Sequence, residues 1–198
     1  MSKDLKPLIE SRLKESGRAL SAAAKLSADI ARAAEMILSA YRRGRKILIF
    51  GNGGSAADAQ HFAAELVGRF ERNRPALPAL SLSVDTSNLT AIANDFGYEE
   101  VFSRQLEALA KSGDVAVAIS TSGNSPSVLK AVALARKLGL ATIGLSGGRG
   151  GKLKAAVDLC LCAPSASTAR VQEVHGAIIH VWCEIVEEAL FPNAPKAH

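Results

Sequence analysis

Five short apolar runs constrain what this chain can become. They fall near residues 46–50, 79–83, 115–120, 141–146 and 157–162, and helical patterns occupy 56–70, 99–111, 127–138 and a short stretch near Lys152. The runs are apolar almost throughout instead of alternating, as strands are when both faces of their sheet are covered. Strands that alternate with helices predict an α/β three-layer sandwich, with a five-stranded, mostly parallel sheet and helices on both faces. Gly113-Asp114 and Gly139 mark helix ends just before strands.

Residues 3–44 precede the first strand and read as a helical arm with a break near Ser27-Ala28-Asp29. In its second half Ile30, Ala33, Ile37, Leu38 and Tyr41 repeat at helical spacing, a one-sided apolar stripe. Such an arm has to cover the domain or pack on another subunit, and the second is the expectation. A last helix is expected over 169–190, ended by Phe191-Pro192-Asn193, with a frayed tail to His198. With 198 residues, no internal repeat and no low-complexity segment, the whole chain reads as one domain: arm 3–44, α/β core 45–190.

Composition narrows the function. No run of about 18 apolar residues offers a membrane span, and the N-terminal residues lack the apolar core of a signal peptide, so a cytoplasmic protein is expected. The net charge of +5 suits a phosphorylated substrate. The densest basic run, Arg42-Arg43-Gly44-Arg45-Lys46, lies at a helix end, where cations complement the helix dipole, and is read as a solvated terminus instead of a nucleic-acid patch. Cys160, Cys162 and Cys183 form neither a disulfide framework nor a zinc knuckle, and Cys160 and Cys162, on one face of a strand, are expected to be reduced, buried packing residues.

Two loops follow strand ends and are rich in small hydrogen-bonding residues: Gly51-Asn52-Gly53-Gly54-Ser55 and Ser120-Thr121-Ser122-Gly123-Asn124-Ser125. Ligands of open α/β sheets bind outside the carboxyl ends of strands, and hydroxyls with free helix N–H groups can cradle a phosphate. The plainer reading makes both loops turns with helix caps. Neither matches a P-loop or a dinucleotide fingerprint, which argues against a nucleotide cofactor.

Apart from His198, the histidines lie in two helices. His61 and Glu65 are four residues apart and share a face. In the last helix Gln172 and His180 flank one face, Gly176 leaves space between them, and His175 points away as a structural residue. If the helices meet, two imidazoles, a carboxylate and an amide oxygen would suit Zn²⁺. A metal-free acid/base pair, Glu65 and His180, is the other reading, and a plain surface i,i+4 pair is a third.

The stretches GNGGSAADAQHFAAEL, AIANDFGYEEVFSRQ, ISTSGNSPSVLKA and RVQEVHGAIIH resemble the bacterial phosphoheptose isomerases of the sugar-isomerase (SIS) domain superfamily, in order across nearly the whole chain. The resemblance implies a flavodoxin-like fold, a homotetramer with active sites at subunit interfaces, and a phosphorylated seven-carbon sugar, sedoheptulose 7-phosphate, as substrate. It implies one zinc ion per subunit on His61, Glu65, Gln172 and His180, with Glu65 and His180 as the acid/base pair. Asn52, Gly53 and Gly54 would line the sugar site; Ser55, Ser120, Thr121, Ser122 and Ser125 would hold phosphate or nearby hydroxyls; and Asn94 and Asp95 would approach from the NDFGY loop. Ala169 departs from the pattern, since some members carry an acidic residue there. A non-enzymatic branch, whose members bind the chromosome-replication initiator protein, resembles the chain over GN-SAA-AQHFAA but lacks the counterparts of Glu65 and His180. Neither nucleic acid nor membrane is expected as a partner.

Overall fold

The computed structural model describes residues 4–197. The five strands are β1 (Ile47–Gly51), β2 (Ala79–Ser81), β3 (Val115–Ile119), β4 (Ala141–Gly147) and β5 (Leu159–Ala163). They pair in the order β2-β1-β3-β4-β5, and every pairing is parallel. This is the flavodoxin-type order. Within each strand the pleat sorts side chains between two cores. Ile47, Ile49, Val115, Val117 and Ile119 face one side, packed with Phe62, Ile178 and Trp182. Leu48, Phe50, Ala116 and Ala118 face the other, packed with Phe102, Leu106, Val128 and Val132.

The first layer holds α1 (Lys6–Ala23), α2 (Ser27–Arg42), α3 (Gly54–Val67) and α8 (Thr168–Leu190); the second holds α4 (Thr86–Phe96), α5 (Ser103–Leu109), α6 (Pro126–Lys137) and α7 (Leu153–Ala156). Helix α4 was not foreseen. Its signal is present: Asp85 caps it by accepting the Asn88 N–H, and Leu89, Ile92 and Ala93 repeat at helical spacing. The expected 99–111 helix is a short 3₁₀ turn, Tyr98–Glu100, followed by α5.

The arm behaves in two ways. Its break is a 3₁₀ turn at Ala24–Leu26, just before the expected place. The second helix, α2, covers this chain's own sheet, burying Ala33, Ala34, Ile37, Leu38 and Tyr41, and Trp182 donates its indole N–H to the Ile30 carbonyl. The first helix, α1, is held to α8 where Arg170 donates to the Arg12 carbonyl and the Ser16 hydroxyl. Leu5, Leu8, Ile9 and Leu13 nevertheless remain more than half exposed.

Three other expectations change. The tail is not frayed through residue 197: Asn73 donates to the Pro195 carbonyl and Ala197 to the Glu71 carbonyl, an antiparallel strap over 71–73, while His198 lies outside the described residues. Cys160 and Cys162 are free, 3.8 Å apart, but only half-buried, because β5 is an edge strand. In the basic run, Lys46 is tied down by Asp114 at 2.6 Å.

Candidate active site

The sheet order reverses between β1 and β3, and the two Ser/Gly-rich loops leave the carboxyl ends of those two neighbouring strands. That is where open α/β sheets bind ligands. Asn52, Ser55, Ser120, Thr121, Ser122 and Ser125 line one cavity of about 160 Å³. The N-termini of α3 and α6 both begin at it, so two helix amino ends and a set of hydroxyls converge on an anion-sized space. The glycines are there for backbone reasons: Gly53 has φ +55°, and a Cβ on Gly51 would stand 2.8 Å from the Ile119 carbonyl oxygen of the next strand.

Asn52 joins the two loops. Its Nδ2 donates to the Ser125 and Ser127 hydroxyls at 2.8 and 3.1 Å, and its Oδ1 accepts from the Tyr98 hydroxyl at 2.8 Å.

From this cavity α3 and α8 run side by side in the same direction. Gly54 sits against the Gln172 amide so closely that a Cβ there would lie 2.1 Å from Nε2. Further along both helices, His61 and His180 meet with Nε2 atoms 2.8 Å apart. Seven residues of helix separate Gly54 from His61 and eight separate Gln172 from His180, so the meeting point is about 10–12 Å from the cavity. Glu65 Oε1 lies 3.6 Å from His61 Nδ1. His61 and His180 are exposed and Glu65 is half-buried. A Cβ on Gly176 would meet open space, as expected from its place between Gln172 and His180. His175 is fully buried on the opposite side, bonded to the Ser146 carbonyl at 3.0 Å, and burial holds its pKa below the usual imidazole range. Burial likewise pushes the Asp58 carboxyl, one turn before His61, up to about 6, and among the described residues its Oδ2 has no hydrogen-bond partner.

A buried brace fixes the far end of the pair. Glu187 of α8 accepts the backbone N–H groups of Phe70, Glu71 and Arg72 at 2.8–2.9 Å, and the Arg74 guanidinium at 3.0 Å. Arg74 also donates to the Glu65 and Leu66 carbonyls, closing the C-terminus of α3. Burial alone would raise the Glu187 pKa, but the three backbone N–H groups and Arg74 outweigh it and hold the carboxyl below its ordinary value. The same segment stacks Phe70 on the His180 ring, centroids 5.5 Å apart.

Asn94 and Asp95 differ from expectation in setting. They occupy the last turn of α4, exposed, and among the described residues their side chains hydrogen-bond each other. The member of that segment that reaches the loops is Tyr98. Sequence reasoning passed over Tyr98, Ser127, Arg74 and Glu187, because an isolated tyrosine, serine or ion pair carries no pattern until the chain folds.

The donors His61, Glu65, Gln172 and His180 are of the right chemical kind for Zn²⁺. Ligand nitrogens on one tetrahedral zinc stand roughly 3.3 Å apart, so the two exposed rings, at 2.8 Å, need a small opening to share an ion. Among the described residues no group of three or more His, Cys, Asp or Glu is arranged to hold a metal ion.

The SIS-domain family, as a sequence family, matches residues 13–147. A phosphoheptose isomerase of Trichlorobacter lovleyi is 56% identical over 168 residues, 85% of this chain and 86% of that protein. The chain belongs to the phosphoheptose isomerase family. A phosphoheptose isomerase of Roseiflexus is 60% identical over 158 residues, 80% of each chain. Among solved structures, the phosphoheptose isomerase of Neisseria gonorrhoeae superposes with a TM-score of 0.89 at 45% identity, covering 93% of this chain and 99% of that one. The phosphoheptose isomerase fold is therefore shared along almost the full length of the chain.

Proposed function

We propose that the protein is an aldose–ketose isomerase that converts sedoheptulose 7-phosphate to D-glycero-D-manno-heptose 7-phosphate, the first step of nucleotide-heptose biosynthesis for lipopolysaccharide or capsule. The observation that carries this reading is one continuous track. An anion cradle at the β1/β3 switch point leads along α3 and α8 to the His61–His180 meeting point, beside which Glu65 Oε1 lies 3.6 Å from His61 Nδ1; cradle and meeting point are about 10–12 Å apart. That distance suits an extended seven-carbon sugar whose phosphate lies in the cradle.

In this reading Ser55, Ser120, Thr121, Ser122 and Ser125 bind the phosphate, and Asn52, Gly53 and Gly54 line the sugar. Gln172 orients it, and Asn94 and Asp95 approach from α4. Phosphate binding supplies energy remote from the reacting carbons and aligns them. Glu65 removes a proton from C1 of the open-chain ketose; the C1–H electron pair forms the C1=C2 double bond as the C2=O π pair moves onto the carbonyl oxygen. His180 protonates that oxygen, giving a cis-enediol, and return of a proton to C2 with loss of the O1 proton yields the aldose. Zn²⁺, held by His61, Glu65, Gln172 and His180, would polarise the carbonyl when bound.

The assembly we propose is a homotetramer of single SIS-domain chains (residues 1–198) working in the cytoplasm. It is supported by the exposed Leu8, Ile9 and Leu13 on α1, with Leu5 just before it, and by the exposure of His61 and His180, which an adjoining chain would cover. No described helix is long and apolar enough to cross a membrane. The test is incubation with sedoheptulose 7-phosphate and detection of the aldose by chromatography. If no aldose forms while the protein captures the replication initiator, the adaptor function replaces this one; the presence of both Glu65 and His180 favours the enzyme.

A further inference from the structure

We infer that Tyr98 is a positioning residue that sets the direction of the hydroxyl protons in the anion cradle, acting through Asn52. This rests on the cradle assigned above as the phosphate site. The ionised phosphate of a sugar ester offers only acceptors, so a serine that binds it has to point its single proton at the ligand and satisfy its lone pairs elsewhere. The Asn52 NH₂ group does this for Ser125, donating to its Oγ at 2.8 Å, and uses its other proton on Ser127 at 3.1 Å. Ser127 is buried at the start of α6 and is not among the cavity-lining residues, so it anchors the amide instead of meeting the ligand.

A carboxamide can be turned end for end at little steric cost. Turned over, Asn52 would present its oxygen to Ser125 and Ser127, and the Ser125 proton would be drawn away from the cavity. A phenol hydroxyl donates better than it accepts, so the partner on the other side, the Tyr98 hydroxyl, which donates to Asn52 Oδ1 at 2.8 Å, favours the observed orientation over the turned one, in which it could only accept. Tyr98 reaches there because Gly97, at φ +92°, reverses the chain immediately after α4. Tyr98 is 58% exposed, so it contributes little to the core, and its hydroxyl is free to serve this bond.

The test is Tyr98→Phe in the full chain, read by calorimetric titration with inorganic phosphate and by the kinetics of sedoheptulose 7-phosphate. The expected result is a phosphate Kd and a KM raised roughly three- to tenfold, the range of one net hydrogen bond, with kcat within about twofold and an unchanged melting temperature. In a Ser125→Ala background, Tyr98→Phe should have no further effect, because its route to the ligand is gone. Unchanged phosphate affinity in Tyr98→Phe, or additive effects in the double variant, overturns the inference, as does a wild-type protein that binds no phosphate. Wild-type phosphate binding without turnover of the heptulose refutes the isomerase reading alone and leaves the titration arm decisive for Tyr98.

Discussion

Replacing Glu187 by glutamine should cost more stability than its distance from the candidate chemistry suggests. The carboxylate accepts four hydrogen bonds, two at each oxygen, from three backbone N–H groups and Arg74. Both side chains of the ion pair are about 1–2% exposed. In the amide one oxygen becomes an NH₂ group facing two donors. Two bonds are lost and the Arg74 charge loses its buried counter-ion. Breaking a buried pair from one side costs about 3–5 kcal/mol; retention of one acceptor oxygen lowers the expectation to about 2–3 kcal/mol. For a chain of this size that is a fall in Tm of about 4–12 °C, measurable by circular dichroism at neutral pH. The pH dependence follows from the direction of the shift. The folded carboxyl is held below its ordinary value of 4.5, so its stabilisation is complete above that pH and is lost as pH falls through the lower folded pKa. Glu187→Gln should therefore lose stability less steeply on acidification than the wild type. A Tm within 2 °C of wild type, or identical acid limbs, would refute the view that this carboxylate clamps residues 70–72.

Other outcomes are equally specific. Gly54→Ala puts a methyl group where the Gln172 amide lies; the amide has to leave, and isomerase kcat/KM should fall on the order of 100-fold with little change in Tm. Glu65→Gln should lower turnover by about 10²–10⁴-fold while gel filtration shows an unchanged assembly; near-normal rates remove Glu65 as the base. Dialysis against a chelator should lower the rate and added zinc restore it, and a rate indifferent to both removes the ion from the reaction. Leu8→Glu with Leu13→Glu, both on the exposed face of α1, should reduce the mass measured by light scattering below that of a tetramer.

The sheet was legible because its strands are buried on both faces, so each one announces itself as an unbroken apolar run. The face of α8 was legible too, since helical periodicity alone places Gln172, Gly176 and His180 together and His175 opposite. What no spacing could supply is the meeting of His61 with His180, which depends on α3 and α8 lying side by side; family resemblance supplied it first. Helix α4 was passed over because its apolar positions, Leu89, Ile92 and Ala93, cover the sheet only in part and lie among Thr, Ser and Asn. The tail was misjudged because its order comes from backbone pairing with residues 71–73, which leaves no mark on side-chain pattern. Tyr98 was invisible for a related reason: its partner is 46 positions away.

The co-directional course of α3 and α8 makes the proposed site a ruler. A sugar phosphate would enter it with only one polarity, anion first, because the cradle lies where α3 and α6 begin. Its reach is then set by chain length. A pentulose phosphate would seat its anion equally well and leave its carbonyl short of Glu65 and His180. Discrimination against shorter metabolites would thus require no excluding wall, only the count of helical residues between Gly54 and His61.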